Sequence, residues 1–166
     1  MVSATTIANK FIERAKRDGV PLTNMQLQKL VYIAHGWAFA FLKHGLIRDP
    51  VEAWQWGPVI PSLYHSLRQY GSGEVTSTIP VLGGRTVQPQ EDALLELVWN
   101  SYKDMSGFKL STITHEANTP WSRTVKKFGL KSVIPDSYIA EHYQTLYDGR
   151  IKRQIERGIP QPAAEH

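Results

Sequence analysis

Glu52-Ala-Trp-Gln-Trp-Gly-Pro-Val-Ile-Pro-Ser-Leu-Tyr-His-Ser-Leu-Arg-Gln-Tyr-Gly71 packs two tryptophans, a Gly-Pro pair, a second proline and a terminated helix into one short stretch. Trp54 and Trp56 are two apart, so an extended strand turns both to one side, together with Glu52. Gly57 permits a backbone conformation that other residues avoid, and Pro58 fixes the next φ. Pro61 suits the first turn of a helix, where a missing N–H costs nothing. Leu63, Leu67 and Tyr70 then form one apolar stripe, and Gly71 stands where a helix ends. The stretch predicts a short strand, a rigid corner and a short amphipathic helix. Such a corner anchors a fold.

Helices are predicted on both sides of it. Ile7, Phe11 and Ala15 form a row in a first helix over about 3–18, which Gly19 and Pro21 end. Thr23 and Gln26 read as a capping box opening a long helix from Asn24 to about Lys43, with Gly45 as its stop. Leu27, Leu30, Val31, Ala34, Trp37, Ala38 and Phe41 repeat at the helical period, and Met25, Tyr32 and Ile33 widen that face, so this helix is expected to be central. After Gly71 the texture changes. Residues 76–82 and 85–89 read as two arms of a hairpin around Gly83-Gly84, or equally as an irregular excursion, with Pro80 and Pro89 confining any strand to an edge. A helix is expected over 91–105, with Leu94, Leu97, Val98, Ser101 and Tyr102 inward and Ser106-Gly107 as its stop. Ser111 is read as the cap of a short helix ending near Asn118. Pro120 opens another, which Gly129 ends. Asp136 or Ser137 caps the last, with Ile139, Tyr143 and Leu146 inside. Residues 1–147 are taken as the domain. Residues 148–166, basic and proline-containing, are taken as a frayed helix and a partly disordered tail.

Three stretches together resemble one family. Glu52, Trp54, Gly57, Pro58, Pro61 and Tyr64, followed by Tyr70-Gly71, match the pattern of the Panacea antitoxin domain, also called SocA-like or phage-associated protein GepA-like. Leu27-Gln-Lys-Leu-Val-Tyr-Ile-Ala-His-Gly-Trp37 is similar to its early helix, through Lys29, Tyr32, Gly36 and Trp37. Leu110-Ser-Thr-Ile-Thr-His-Glu-Ala-Asn-Thr-Pro-Trp121 is similar to its late motif, through Ser111, Thr114, His115, Pro120 and Trp121. The resemblance implies an antitoxin of a bacterial or prophage toxin–antitoxin pair, which neutralises a toxin by direct contact. It also implies, in the SocA-like branch, an adaptor that delivers the toxin to a Clp-type protease. The expected partner is a toxin encoded by an adjacent gene; self-association stays open.

Bulk properties set the outer bounds. A chain of 166 residues is one domain's worth. It has no cysteine, which removes disulfides and thiolate metal sites. Its apolar runs are too short for a membrane helix and it opens with no signal pattern, so a cytoplasmic protein is expected. The net charge is +4. Residues 1–50 hold seven Lys/Arg against three Asp/Glu, residues 51–102 two against five, and residues 103–131 six against two. Scattered basic residues read as solvated surface, or as a modest basic patch facing an acidic partner. Residues 3–43 superficially resemble a helix-turn-helix, but the second helix is too apolar to read a groove.

Catalytic chemistry has one candidate. His115 beside hydroxyls at Ser111 and Thr114 is general-base material, with Glu52 or Glu116 as a carboxylate partner. The alternative is structural: Thr114 and His115 fix the following loop and seat Trp121. No nucleophile motif, Walker loop or helical zinc spacing is present, and no cofactor is expected. His35 reads as a satisfied core histidine. Trp54 and Trp121 are assigned to the core. Trp56, adjoining Gly57, is the first candidate to reach a partner, followed by Phe108 and Asn118. Residues that choose the toxin are expected in less patterned segments, 71–90 and the C-terminal part. The expectation is a mainly α, compact single-domain fold with a small β element inserted after the Gly71 helix, working as a binding module.

Overall fold

The computed structural model describes residues 1–157. In chain order the elements are α1 (Ala4–Asp18), α2 (Asn24–Leu42), β1 (Glu52–Trp54), β2 (Gly57–Val59), α3 (Pro61–Leu67), α4 (Pro89–Tyr102), α5 (Gly107–His115), α6 (Pro120–Phe128) and α7 (Asp136–Glu156). A single 3-10 turn, Arg68–Tyr70, extends α3. The fold is a single compact helical domain with one small antiparallel sheet.

α2 is the axis. α1, α3, α4, α5, α7 and β2 all pack on it, so its burial runs round the helix: Leu27, Leu30, Val31, Tyr32, Ile33, Ala34, His35 and Ala38 are all inside. A helix apolar all round belongs in a core. Its start is the expected capping box: Thr23 Oγ1 accepts from Gln26 N at 3.3 Å, and Thr23 N donates to Gln26 Oε1 at 2.9 Å. Its stop is Lys43, left-handed at φ 64°, not Gly45. At Gly36 the ring of Tyr143 from α7 lies so close that any Cβ would collide with it. That contact sets how near α7 approaches. Met25 and Phe41 extend past the packed faces and are exposed. A helix enclosed in this way cannot enter a DNA groove.

α1 is ended by a left-handed Gly19, as expected, and Ser3, just before the helix, is its cap. It is tied to α4 by Arg14, which reaches Asp92 at 3.0 Å and Glu96 at 2.7 Å, and by Trp99 Nε1, which donates to Asp18 at 2.7 Å. These ties help set the rotation of α4. It buries Leu94, Leu95, Val98 and Trp99, whereas Leu97 and Ser101, expected inside, face solvent. The buried set lies on the side of α4 that packs on α1 and α2, and at about 100° per residue Leu97 falls roughly 60° beyond the edge of that stripe at Leu94.

Further expectations are corrected. The two-stranded sheet pairs Glu52 with Val59, Ala53 with Pro58 and Trp54 with Gly57, so the β element lies inside the corner and before Gly71. Residues 76–88 form no strand; the irregular alternative is the one observed. Ser106 caps α5, accepting from Lys109 N at 3.1 Å, and Gly107 begins the helix instead of ending one. Ser111 is mid-helix. On α7, Ile139 and Tyr143 are buried but Leu146 is exposed; Tyr147 packs inward in its place. The helix runs through Gly149 to Glu156, at a cost of about 1 kcal/mol relative to alanine there. Residues 158–166 of the expected tail lie outside the described residues. Among the described residues no helix is long and apolar enough to cross a membrane.

Candidate partner-binding site

The hairpin Glu52–Val59 is held by its carbonyls. Trp121 Nε1, from α6, donates to Trp54 O at 2.6 Å. Ser111 Oγ, from α5, donates to Trp56 O at 2.5 Å. Lys29 Nζ, from α2, donates to Pro58 O at 2.9 Å. Alternate carbonyls of one short strand pair are thus fastened by three side chains from three helices, Lys29 from the early motif and Ser111 and Trp121 from the late one. Buried backbone acceptors need such partners. Beside Lys29, Gln28 Oε1 accepts from Ile60 N at 2.9 Å and its amide donates to Asn24 at 3.1 Å. On the outer edge, Ala53 N donates to Ser132 O at 2.9 Å and Lys131 N to Ala53 O at 2.7 Å.

Gly57 is where these threads cross. Its φ is +115°, and a Cβ there would sit 3.0 Å from Lys29 Nζ and 3.4 Å from Thr114 Oγ1. Only glycine fits both the dihedral and the space. Lys29 is almost wholly enclosed, and burial lowers its pKa to about 8, since a low-dielectric site disfavours the ammonium. The Tyr32 hydroxyl, one turn along α2, is buried without a hydrogen-bond partner, and burial raises the pKa of both Tyr32 and its edge-on neighbour Tyr143. Trp37 Nε1 donates to Tyr102 OH at 3.2 Å.

Trp54 and Trp121 are half-buried, not fully in the core as expected, because they lie over the hairpin as a lid. Trp54 Nε1 donates to Glu52 at 2.7 Å, Tyr64 meets its ring edge-on at 5.1 Å, and Lys131 Nζ stands 3.5 Å from the ring centre, a cation–π contact. Trp99 is the tryptophan fully enclosed. Trp56 does not share a strand face with Trp54: Gln55 and Trp56 form the turn, and the Trp56 side chain is 62% exposed. Pro61 opens α3, and Tyr70 OH and Ser77 Oγ share a hydrogen bond of 2.9 Å beyond it. Gly71 N closes the 3-10 turn on Arg68 O.

Of the groups that suggested catalysis, Ser111, Thr114, Glu52 and the Nδ1 of His115 are engaged in local structure. Thr114 Oγ1 donates to Leu110 O at 2.8 Å and Ser111 O at 3.0 Å. His115 Nδ1 lies on Ser111 O, and its ring meets Trp121 edge-on at 5.3 Å. Thr114 and His115 therefore close on their own helix instead of the following loop. A ring nitrogen that donates to a carbonyl carries hydrogen and is no base toward Ser111, whose hydroxyl is already given to Trp56 O. Glu116 lies near His142, whose pKa half-burial lowers against that charge. His35 is satisfied in the core: its Nδ1 accepts from Leu46 N and Ile47 N at 3.0 and 3.2 Å.

The candidate contact residues separate. Phe108 is 81% exposed on the first turn of α5, one turn before Ser111. Asn118, left-handed at φ 63°, lines instead a cleft of about 620 Å³ between the α5–α6 turn and α7, with Arg123, Tyr138, Glu141 and His142. Sequence reasoning missed Gln28, Lys131 and the exposed Met25. The signal for Gln28 and Lys29 was present: two polar residues adjoining the apolar stripe of a central helix.

The stretch that carries these ties matches a recognised family. The family model described as Antitoxin SocA-like, Panacea domain, matches residues 27–122. The chain belongs to this family. The matched span holds Lys29, the whole hairpin, Ser111 and Trp121, so the Panacea domain spans all three carbonyl ties. Antitoxin SocA of Caulobacter vibrioides (strain NA1000 / CB15N) is 30% identical over 129 residues, which cover 72% of this chain and 69% of that protein. No solved structure matches significantly.

Proposed function

We propose that this Panacea domain is the antitoxin of a bacterial toxin–antitoxin pair, acting in the cytoplasm and neutralising its toxin by direct protein contact. The observation that carries the reading is the division of labour at the hairpin. The polar motif residues are consumed in holding it, and the tip they hold presents an uncovered tryptophan. A buried polar network of this kind rigidifies what it supports, and a preorganised aromatic is the usual anchor of a protein interface. The similarity to an antitoxin supports the same reading. The basic residues favour it over nucleic-acid binding. Arg17 is spent on Asp18 and Glu96 and Lys131 on Trp54, and Lys126 and Lys127 stand on α6, which packs mainly with α5, α7 and β1.

The test is co-expression with the adjacent reading frame. Expected are growth arrest by the neighbour alone, rescue by this chain and elution of the two as one complex. A neighbour that arrests growth but is not rescued overturns the reading. Following the neighbour's level during rescue separates blocking, in which it persists, from delivery to a protease, in which it disappears.

A further inference from the structure

The cleft of about 620 Å³ between the α5–α6 turn and α7 takes no part in holding the hairpin. Its volume lies within the roughly 300–1,000 Å³ typical of ligand clefts. Two side chains that line it, Asn118 and His142, have no hydrogen-bond partner in the protein among the described residues. Their neighbours on the turn are engaged. Thr119 N donates to Ser122 Oγ at 3.0 Å, Ser122 N donates to Thr119 Oγ1 at 3.2 Å, and Thr119 Oγ1 donates to Glu116 O at 2.8 Å. Asn118 is left-handed at φ 63°. Glycine meets that dihedral more readily than asparagine does, so the backbone alone does not call for a carboxamide here.

The charges at the cleft argue against an ionic ligand. Arg123 Nη1 is paired with Glu141 Oε2 at 2.8 Å, and its guanidinium stands 3.7 Å from the centre of the Tyr138 ring. The cation is neutralised where it stands and the aromatic face is covered, which leaves neither a free phosphate clamp nor a stacking platform for a base. Lys126 adds a positive charge to the lining, and Glu116 adds a negative one near His142. The hydrogen-bonding groups left over are uncharged. A carboxamide carries a donor and an acceptor side by side. The His142 imidazole, whose pKa half-burial lowers, is neutral at pH 7 and carries one of each. A peptide group presents the same pair, one N–H and one C=O.

We propose that this cleft receives an extended segment of the toxin through its peptide groups, with the Asn118 carboxamide and the His142 imidazole as their partners; this rests on the antitoxin reading above. The probe is the purified product of the adjacent reading frame, titrated against the full chain and its variants. Asn118→Gly keeps the dihedral, Asn118→Asp keeps the shape without the N–H donors, and His142→Phe keeps the ring that meets Tyr143 edge-on. Each is expected to weaken binding roughly threefold to tenfold, equally at low and at raised salt, with melting curves unchanged. Lys126→Glu is expected to change it less than about twofold. Overlapping peptides of the same product should include one that competes with it, and alanine at each position of that peptide should leave competition through the cleft in place. Binding and rescue that persist in the Asn118→Gly/His142→Phe double variant overturn the cleft and leave the antitoxin reading standing. A wild-type chain that neither binds nor rescues overturns both. The absence of any competing peptide, or competition that hangs on one side chain, overturns recognition through peptide groups. Binding of a single-stranded oligothymidylate that is lost in the same variants, with neighbour binding intact, assigns the cleft to nucleic acid and overturns the proposal.

Discussion

Two stretches of this chain use the same vocabulary of glycine, proline and apolar residues, and the fold treats them oppositely. In the hairpin Glu52–Val59, alternate carbonyls are taken by Trp121, Ser111 and Lys29, and Gly57 is wedged against Lys29 and Thr114. In the excursion 77–88, beyond the Tyr70–Ser77 hydrogen bond at its start, the chain is held at two clamps. Asn9 bonds both the N–H and the carbonyl of Ile79, at 2.7 Å each. Arg85 grips the buried Glu91 at 2.7 and 2.9 Å. Between the clamps Leu82 is 101% exposed, and a Cβ at Gly83 or Gly84 would stand in open space. Rigidity here comes from side chains donated by distant helices, not from the local sequence. It is spent where Trp56 is displayed.

The sharpest way to break the comparison is a pair of glycine substitutions. Gly57→Ala meets both a forbidden dihedral and a filled site, and is expected to cost about 3 kcal/mol, lowering the melting temperature by roughly 6–12 °C. Gly84→Ala, at φ +89° in open space, pays only the dihedral, about 1 kcal/mol. Equal losses in thermal melts would mean that the hairpin is no more tightly held than the excursion.

Lys29 gives the next largest effect and a sign that can be checked. Its pKa is about 8, against an ordinary 10.5. Below pH 8 it is protonated in both states. Between pH 8 and 10 the unfolded chain keeps a proton that the native chain has released, so raising the pH favours the native state. Above pH 10 the buried Tyr32 and Tyr143, whose pKa values are raised, reverse the trend, because only the unfolded chain then ionises them. Urea unfolding should show stability rising by about 1–2 kcal/mol from pH 8 to 10. In Lys29→Met that rise should vanish. A rise that survives the substitution would place its source outside the hairpin.

What could be read beforehand divides along the same line. The corner at Gly57-Pro58, the helix opened by Pro61, the Thr23 cap and the Gly19 stop were legible because each is decided within a few residues. The resemblance to the family marked Lys29, Ser111 and Trp121 as motif residues but not what they do. Lys29 acts on Pro58, Ser111 on Trp56 and Trp121 on Trp54, across separations that no local pattern encodes. Ser111 was read as the cap of α5 and Ser106 as the end of the helix before it; Ser106 is the cap, and Ser111 lies mid-helix with its hydroxyl on Trp56 O. The face of α4 was misjudged because Leu94, Leu97 and Ser101 also follow a helical period, and the choice depends on where Arg14 and Asp18 stand. Trp54 and Trp121 were placed too deep because size suggests burial, while their N–H groups are needed at the hairpin's edge.

The Asn9 clamp sharpens the comparison from the loose side. Asn9→Ala removes two hydrogen bonds to Ile79 and is expected to cost about 1 kcal/mol. Its larger effect should be local. Limited proteolysis should cut within 77–88 faster in the variant, with the Trp56 hairpin still protected. Faster cutting at both would show that the two stretches open together.

Leu82→Ser should be the smallest change of all, within about 0.5 kcal/mol of the wild type, since the side chain it removes touches nothing. Its value lies in what it separates. We propose that the excursion helps select which toxin is bound. Leu82 is apolar and fully exposed at a tip whose base is clamped by Asn9 and Arg85, so removing it alters a contact surface without altering the fold. The expected result is an unchanged melting curve with reduced affinity for the neighbour-encoded protein. Unchanged affinity, together with a loss in Trp56→Ala, would confine recognition to the tightly held hairpin and make the excursion a connector.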